Sequence, residues 1–114
     1  MKRDPSLDTL LDLNGQVLVI DPTGHWVRFV VHAVPSSTQK PHGLDYTLTL
    51  HGPDGTRLVG FDNAHQVAGK RRDALDHKHR IRTVKPYAYS DAAQLIADFW
   101  TDVEAVMKEQ GIWS

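Results

Sequence analysis

The segment from Asp62 to Arg82 collects more chemically active side chains than any other part of this 114-residue chain. An imidazole can transfer a proton or bind a metal near neutral pH, since its unperturbed pKa is about 6.5. A guanidinium can hold a phosphate through two parallel hydrogen bonds. Its candidate side chains are the carboxylate of Asp62, three histidines and five cations, namely His65, His77, His79, Arg71, Arg72, Lys78, Arg80 and Arg82. A metal-free nuclease, a metal site or a phosphate-binding surface would each need such residues.

Metal-independent RNA cleavage is the first hypothesis for this segment. A 2′-hydroxyl attacks the adjacent phosphorus when a base takes its proton and an acid protonates the leaving oxygen, and such help is worth roughly 10²–10⁴-fold. Positioned cations stabilise the charge that develops on the phosphate. The expected catalytic residues are His65, His77, His79 and Arg80, with Asp62 orienting a histidine. The expected substrate-binding residues are Arg28, Arg71, Arg72, Lys78 and Arg82. This hypothesis needs no metal and no cofactor.

Two other functions remain open on the same residues. In an extended strand His77 and His79 would project to one side, and His65 or Asp62 could join them as zinc ligands in a hydrolase. Alternatively, the segment could be a non-catalytic surface that binds nucleic acid or an acidic protein. Residues 70–85 carry seven Lys/Arg against two Asp in a chain whose net charge is −1. A basic strip on an otherwise acidic protein can bind a polyanion.

The length and composition are those of one globular domain covering residues 1–114. Hydrophobic residues make up 40% of the chain and charged residues 24%. The absence of cysteine excludes a disulfide scaffold and thiolate metal sites. The N-terminal residues lack the apolar run of a signal peptide or membrane span. We therefore expect a cytoplasmic protein that does not bind membranes.

Turn sequences divide the first half of the chain into four strands. The runs GQVLVI and HWVRFVVHAV flank Asp21-Pro22-Thr23-Gly24, and DYTLTLH and TRLVGF flank Gly52-Pro53-Asp54-Gly55. Proline at the second place and glycine at the fourth are typical of a type I turn, so each pair predicts a hairpin. After a long loop from Asn63 to Asp76, residues 78–84 predict a fifth strand. Asn63 is expected to satisfy backbone groups rather than to act in catalysis.

The C-terminal third predicts one long amphipathic helix. Ser90 is the expected N-cap, the helix runs from Asp91 to about Gln110, and Gly111 ends it. Its apolar stripe is Ala92, Leu95, Ile96, Phe99, Trp100, Val103, Val106 and Met107. A short helix around Leu7–Leu11 precedes the first strand. The expected fold is α+β, with an antiparallel meander of four to five strands packed on the C-terminal helix.

Strand alternation predicts which residues share a face of this sheet. The residues expected toward the helix include Val27, Phe29, Val31, Tyr46, Leu48, Leu50, Val59 and Phe61. The opposite face is then half polar and carries Arg28, His32, Thr49, His51 and Asp62, with Trp26 beside them. This face would lie within reach of the loop histidines.

The chain also resembles a known family in three stretches. These are FDNAH at 61–65, DHKHR at 76–80 and DFWTDVE at 98–104, within a similarity covering roughly residues 15–110. The sequence is similar to the TumE-like toxin family of prokaryotic toxin–antitoxin modules. The resemblance implies a small toxin whose partner is a helix-turn-helix antitoxin. Ribonuclease activity, with RNA as the target, is inferred from the residues and from likeness to small endoribonuclease toxins of similar build. A homodimer is left open.

Overall fold

The computed structural model describes residues 6–37, 43–63, 77–80 and 83–113. In these ranges two helices and six strands follow one another, and their bounds are α1 Leu7–Asp12, β1 Val17–Val19, β2 Trp26–Ala33, β3 Leu44–His51, β4 Arg57–Asp62, β5 His77–Arg80, β6 Thr83–Pro86 and α2 Ala92–Glu109. The strands form one sheet in the order β1-β2-β3-β4-β5-β6, and each is antiparallel to its neighbours. The predicted α+β meander with a long C-terminal helix is confirmed.

Both predicted hairpin turns are present. Gly24 N–H donates to the carbonyl of Asp21 at 3.1 Å, and Gly55 N–H donates to the carbonyl of Gly52 at 2.9 Å. The two glycines have φ of +101° and +87°, a region in which a Cβ would be strained. Glycine at these two places is therefore required by the backbone as well as typical of the turn.

The predicted fifth strand is two strands. β5 and β6 pair with one another, so that His79 lies opposite Val84 and Arg80 opposite Thr83. The expectation of one strand over residues 78–84 is therefore wrong, and the sheet gains an edge strand. No turn residue marks this division, because positions 81 and 82 are Ile and Arg rather than glycine or proline. The predicted loop over residues 64–76 lies outside the described residues.

The core lies between α2 and one face of the sheet. Phe29, Leu48 and Phe61 are Cα partners across β2, β3 and β4, so they form one row on that face. The ring of Phe99 in α2 contacts Phe29 and Phe61 edge-on, with centroid distances of 5.6 and 6.1 Å. All four side chains are buried. Edge-to-face aromatic packing adds to the burial energy and fixes how α2 crosses the sheet.

The ends of α2 show one correction and one confirmation. The N-cap is Asp91 and not Ser90, because Asp91 is extended and its Oδ1 accepts from Gln94 N–H at 2.8 Å. At the other end, Gly111 has φ of +74° and its N–H donates to the carbonyl of Lys108. Ile112 N–H donates to the carbonyl of Met107 in the same turn, and the two hydrogen bonds together form a Schellman motif.

A bulge changes one predicted position in β4. The register shifts between Leu50 and His51, so that His51 pairs with Arg57 while Leu50 pairs with Val59. Strict alternation from Val59 would place Leu58 on the open face, yet Leu58 is buried and lines a depression together with His25. An extra residue in one strand breaks the alternation of side chains, and this explains the difference.

Candidate functional site

The backbone of β4 and β5 brings together three of the expected catalytic residues. His77 is the Cα partner of Asp62, and His79 is the Cα partner of Gly60. Asp62 is only 8% exposed, although it carries a carboxylate. On the next strand Asp62 pairs with Thr47, and Thr47 pairs with Val30. Asp62 therefore belongs to the sheet face that α2 does not cover, as alternation predicts.

Four of the expected site residues cannot be placed. His65, Arg71, Arg72 and Arg82 lie outside the described residues. Their predicted roles in catalysis and in substrate binding stay predictions.

Lys78 and Arg80 lie on the helix side of the sheet and are paired with α2. Lys78 Nζ is 3.6 Å from Asp102 Oδ2 and 5.9 Å from the centroid of the Phe61 ring. The Arg80 guanidinium forms an ion pair with Glu109. A cavity of about 70 Å³ lies among Lys78, Arg80, Lys85 and Asp102. These contacts attach the β5–β6 hairpin to α2, so each of the two cations has a partner within the protein.

Arg28 lies on the opposite face from Arg80. It is the Cα partner of Thr49, it alternates with the buried Val27 and Phe29, and its side chain is exposed. Its row continues through Thr49 and Gly60 to His79. Of the expected cations that the structure describes, Arg28 is therefore the one on the face that carries Asp62.

Asn63 has the structural role that was predicted, in a more specific form. Its Oδ1 accepts from Tyr46 N–H at 3.0 Å and its Nδ2 donates to the carbonyl of Leu44 at 2.7 Å. The side chain is 1% exposed. Asn63 thus continues the hydrogen bonding of β3 for one step past the end of β4, where buried backbone groups would otherwise lose their partners.

Tyr87 and Tyr89 are half-buried and pack against the core cluster. The Tyr87 hydroxyl donates to Asp98 Oδ2 at 2.7 Å, and its ring lies edge-on to Phe61. These contacts give the two tyrosines a packing role at the entry to α2.

A buried polar cluster on the helix side was not indicated by the sequence pattern. His25 is 4% exposed, with Nδ1 2.9 Å from Asp21 Oδ1 and Nε2 3.1 Å from Gln110 Oε1. Asp21 also accepts from the backbone N–H groups of Thr23 and His25 and from the Thr23 hydroxyl. Burial alone would raise the pKa of Asp21, but these hydrogen bonds outweigh it and lower the pKa to about 2. The signal available was an Asp at the first turn position with a His four residues later.

This cluster joins the first hairpin turn to the C-terminal end of α2, because Gln110 is the C-cap residue. His25 and Gln110 also line an open depression of about 380 Å³, together with Gly52, Pro53, Asp54, Thr56 and Leu58. The Asp54 carboxylate and the apolar lining do not suit a phosphate. The cluster is therefore best explained as a hydrogen-bonded link that holds two distant parts of the fold together.

The described residues contain neither a cluster that could hold a metal ion nor a helix that could span a membrane. Within the described ranges, no group of three or more His, Asp or Glu side chains could hold a metal ion. The zinc alternative uses His77 and His79 with either His65 or Asp62, and His65 lies outside those ranges. No helix in the described part of the chain is long and apolar enough to cross a membrane.

Comparison with known proteins assigns the chain to a family. A family model described as Toxin TumE matches residues 12–107, which include both helix-side and open-face residues of the sheet and nearly all of α2. No curated protein and no solved structure matches the chain. The match covers most of the sequence and agrees with the resemblance carried by the FDNAH, DHKHR and DFWTDVE stretches. The chain therefore belongs to the TumE toxin family and is the toxin of a toxin–antitoxin system, with an antitoxin as its partner.

Proposed function

We propose that this toxin is a metal-independent endoribonuclease whose acid–base residues are His77 and His79, with Asp62 as the orienting carboxylate. The observation that supports this best is the register of β4 and β5, which pairs His77 with Asp62. Directly paired residues of antiparallel strands have Cβ atoms about 4.5–5.5 Å apart, a separation that a carboxylate–imidazole hydrogen bond can span. A carboxylate on one ring nitrogen fixes the tautomer and leaves the other nitrogen for proton transfer.

The proposed reaction is transesterification within the RNA strand. One histidine takes the proton of a 2′-hydroxyl, whose oxygen bonds to the adjacent phosphorus. The bond from phosphorus to the 5′-oxygen breaks, and the second histidine gives that oxygen a proton. The products are a 2′,3′-cyclic phosphate and a 5′-hydroxyl. His65 is proposed as an additional member of the set, in the role that the sequence assigns to it.

The cations divide into two roles in this proposal. Arg28 is assigned to a phosphate of the substrate, since it is exposed on the face that carries Asp62. Arg80 and Lys78 are assigned to positioning, because their partners Glu109 and Asp102 hold β5 against α2. Arg71, Arg72 and Arg82 are proposed to bind the substrate phosphates, as their basic run suggests.

The test is cleavage of a defined single-stranded RNA in the presence of EDTA by the wild type, His77→Ala and His79→Ala. We expect each variant to lose roughly 10²–10⁴-fold in rate with its melting temperature retained. His32→Ala is the matched control. His32 is an exposed histidine on the same face of the sheet, and its Cα partner is Asp45, which has no proposed role in catalysis. Its rate should equal that of the wild type. Full activity in the His77/His79 double variant would overturn the assignment.

Growth of a bacterial host after induction is the corresponding cellular test. Arrest by the wild type, together with normal growth on equal expression of the double histidine variant, is the expected result. Arrest by both proteins would remove the histidines from the toxic activity. Salt-sensitive RNA binding without cleavage would favour the alternative of a non-catalytic binding module.

We further propose that the antitoxin is a helix-turn-helix protein and that the toxin acts in the cytoplasm. The first is what the family resemblance implies, and the second is what an RNA target implies. Co-expression of the toxin with the adjacent gene product, followed by size-exclusion chromatography with light scattering, tests the complex. The same measurement on the toxin alone tells a monomer from a homodimer.

A further inference from the structure

Trp26 differs from the other tryptophans of the described chain in its surroundings. Trp100 and Trp113 pack against the hydrophobic core cluster, whereas among the described residues Trp26 does not belong to that packing. It is half-buried on the face of the sheet that α2 does not cover. A tryptophan that is partly exposed and outside the core calls for a different explanation from core packing.

The ring of Trp26 is stacked on the ring of His51. The two residues are Cα partners across β2 and β3, their ring centroids are 4.0 Å apart, and the ring planes differ by 12°. The bulge in β4 makes Arg57 the next partner of His51 across the sheet. The stack of Trp26 on His51 therefore belongs to a row of residues on the open face that continues to Arg57.

The hydrogen bonds of His51 hold its ring in place. Nδ1 is 3.2 Å from the carbonyl oxygen of Gly55, which can only accept, so Nδ1 carries the proton. Nε2 is 2.9 Å from Thr49 Oγ1, within hydrogen-bond distance of the hydroxyl. Thr49 is buried and cannot swing away from the ring. Both ring nitrogens thus have hydrogen-bond partners, and the imidazole backs the indole with a flat surface held in place, which reduces the ordering cost of binding a ligand.

Two guanidinium groups flank this stack. Arg57 follows His51 in the row, and Arg28 lies two residues along β2 from Trp26 in the adjacent row. Both are exposed, and no ion pair joins either of them to another described residue. By contrast Lys78 and Arg80 are paired with carboxylates of α2. The cations beside the aromatic stack are consequently available for a ligand anion.

We propose that Trp26 and His51 form a stacking platform for an unpaired nucleobase and that Arg28 and Arg57 bind the phosphates on either side of it. The ligand is single-stranded RNA lying across the open face of the sheet. Flat aromatic surfaces on a sheet, flanked by arginines, suit unpaired bases because every base has a π-face, whereas paired bases are stacked within the duplex. The inference rests on the proposed function, and it adds where the substrate binds.

The test uses an oligonucleotide that cannot be cleaved by this chemistry, a single-stranded 2′-O-methyl RNA, so that binding is measured apart from turnover. Fluorescence anisotropy should give affinity for the wild type that falls roughly 5- to 100-fold in Trp26→Leu. Trp26→Phe should keep most of the affinity, because a ring is retained. Trp113→Phe is the matched control and should bind as the wild type does. The oligonucleotide should quench the tryptophan emission of the wild type more than that of Trp26→Phe.

The arginines have their own readout in the same assay. Arg28→Gln and Arg57→Gln should each reduce the slope of log affinity against log salt concentration by about 1. Equal affinity of the wild type and a folded Trp26→Leu would overturn the platform. So would tighter binding of duplex than of single strand, or tighter binding of an oligoglutamate peptide with no dependence on Trp26.

The failures of the two proposals can be told apart. Trp26-dependent binding without cleavage of unmodified RNA would keep the platform and remove the ribonuclease chemistry. Cleavage by Trp26→Leu with unchanged KM would keep the chemistry and remove the platform.

Discussion

Arg28 and Arg80 lie on opposite faces of the same sheet. Arg28 pairs with Thr49 on the open face, and Arg80 forms an ion pair with Glu109 of α2 on the covered face. Since the two guanidinium groups are separated by the backbone of the sheet, they cannot bind the same phosphate from one side. The proposed roles therefore divide between them, with Arg28 binding the substrate and Arg80 positioning β5.

The first prediction tests this division with two matched substitutions. Arg28→Gln should raise KM for RNA about tenfold or more, because a charge-assisted hydrogen bond to a phosphate is lost. Arg80→Gln should leave the cleavage rate within about threefold and cost at most about 1 kcal/mol in the free energy of unfolding, as for other exposed ion pairs. Steady-state kinetics and urea unfolding measure the two effects. Loss of cleavage in Arg80→Gln at unchanged stability would return Arg80 to a catalytic role.

The second prediction concerns Asn63, which supports the end of β4. Asn63→Ala leaves Tyr46 N–H and the Leu44 carbonyl without their present partner in a buried setting. Each group left unsatisfied costs about 1–3 kcal/mol, so the free energy of unfolding should fall by several kcal/mol. Urea unfolding is the measurement, and Asn14→Ala is a control with a single, partly buried contact to Val31 N–H. A change below about 1 kcal/mol for Asn63→Ala would contradict this account.

The third prediction is a pH dependence from Asp21. Its pKa is about 2 in the folded protein against 3.8 for the free group, so its hydrogen bonds favour the folded state above about pH 4. That contribution falls as the pH drops from about 4 to 2 and the carboxylate becomes protonated. Asp21→Asn should therefore lower the melting temperature at pH 7, and the difference from the wild type should shrink in acid.

Thermal melts of the wild type and Asp21→Asn between pH 2 and pH 7 test the predicted pH dependence. Asp12→Asn, an exposed substitution at the end of α1, is the control and should change the melting temperature little. A difference between Asp21→Asn and the wild type that stays constant over the whole range would show that ionisation of Asp21 is not the source of the stability.

The fourth prediction separates the ribonuclease from a zinc hydrolase. Protein dialysed against EDTA should retain its cleavage rate, because the proposed acid, base and cations are side chains. Elemental analysis and activity should be measured on the same preparation. Stoichiometric zinc, with activity lost on chelation and recovered on zinc addition, would favour the zinc hydrolase.

Local signals in the sequence accounted for most of the fold. Proline and glycine fixed the two turns through their restricted or permissive φ, and alternation placed Phe29, Leu48 and Phe61 on the covered face. These properties depend on a few neighbouring residues. The N-cap was misplaced by one residue, because Ser90 and Asp91 can both cap and only the backbone conformation selects between them. The division of the predicted fifth strand into β5 and β6 was not predicted, because no glycine or proline lies between them.

For the candidate site, the residue types alone define the available chemistry: two histidines separated by one residue, an aspartate at the end of β4 and a basic run between them. Which of those groups share a face depends on the tertiary fold. The pairing of His77 with Asp62, of Arg80 with Glu109 and of Trp26 with His51 joins residues 15, 29 and 25 positions apart. Such contacts depend on strand register and on how α2 crosses the sheet, which arise from packing of the whole core and not from any local pattern.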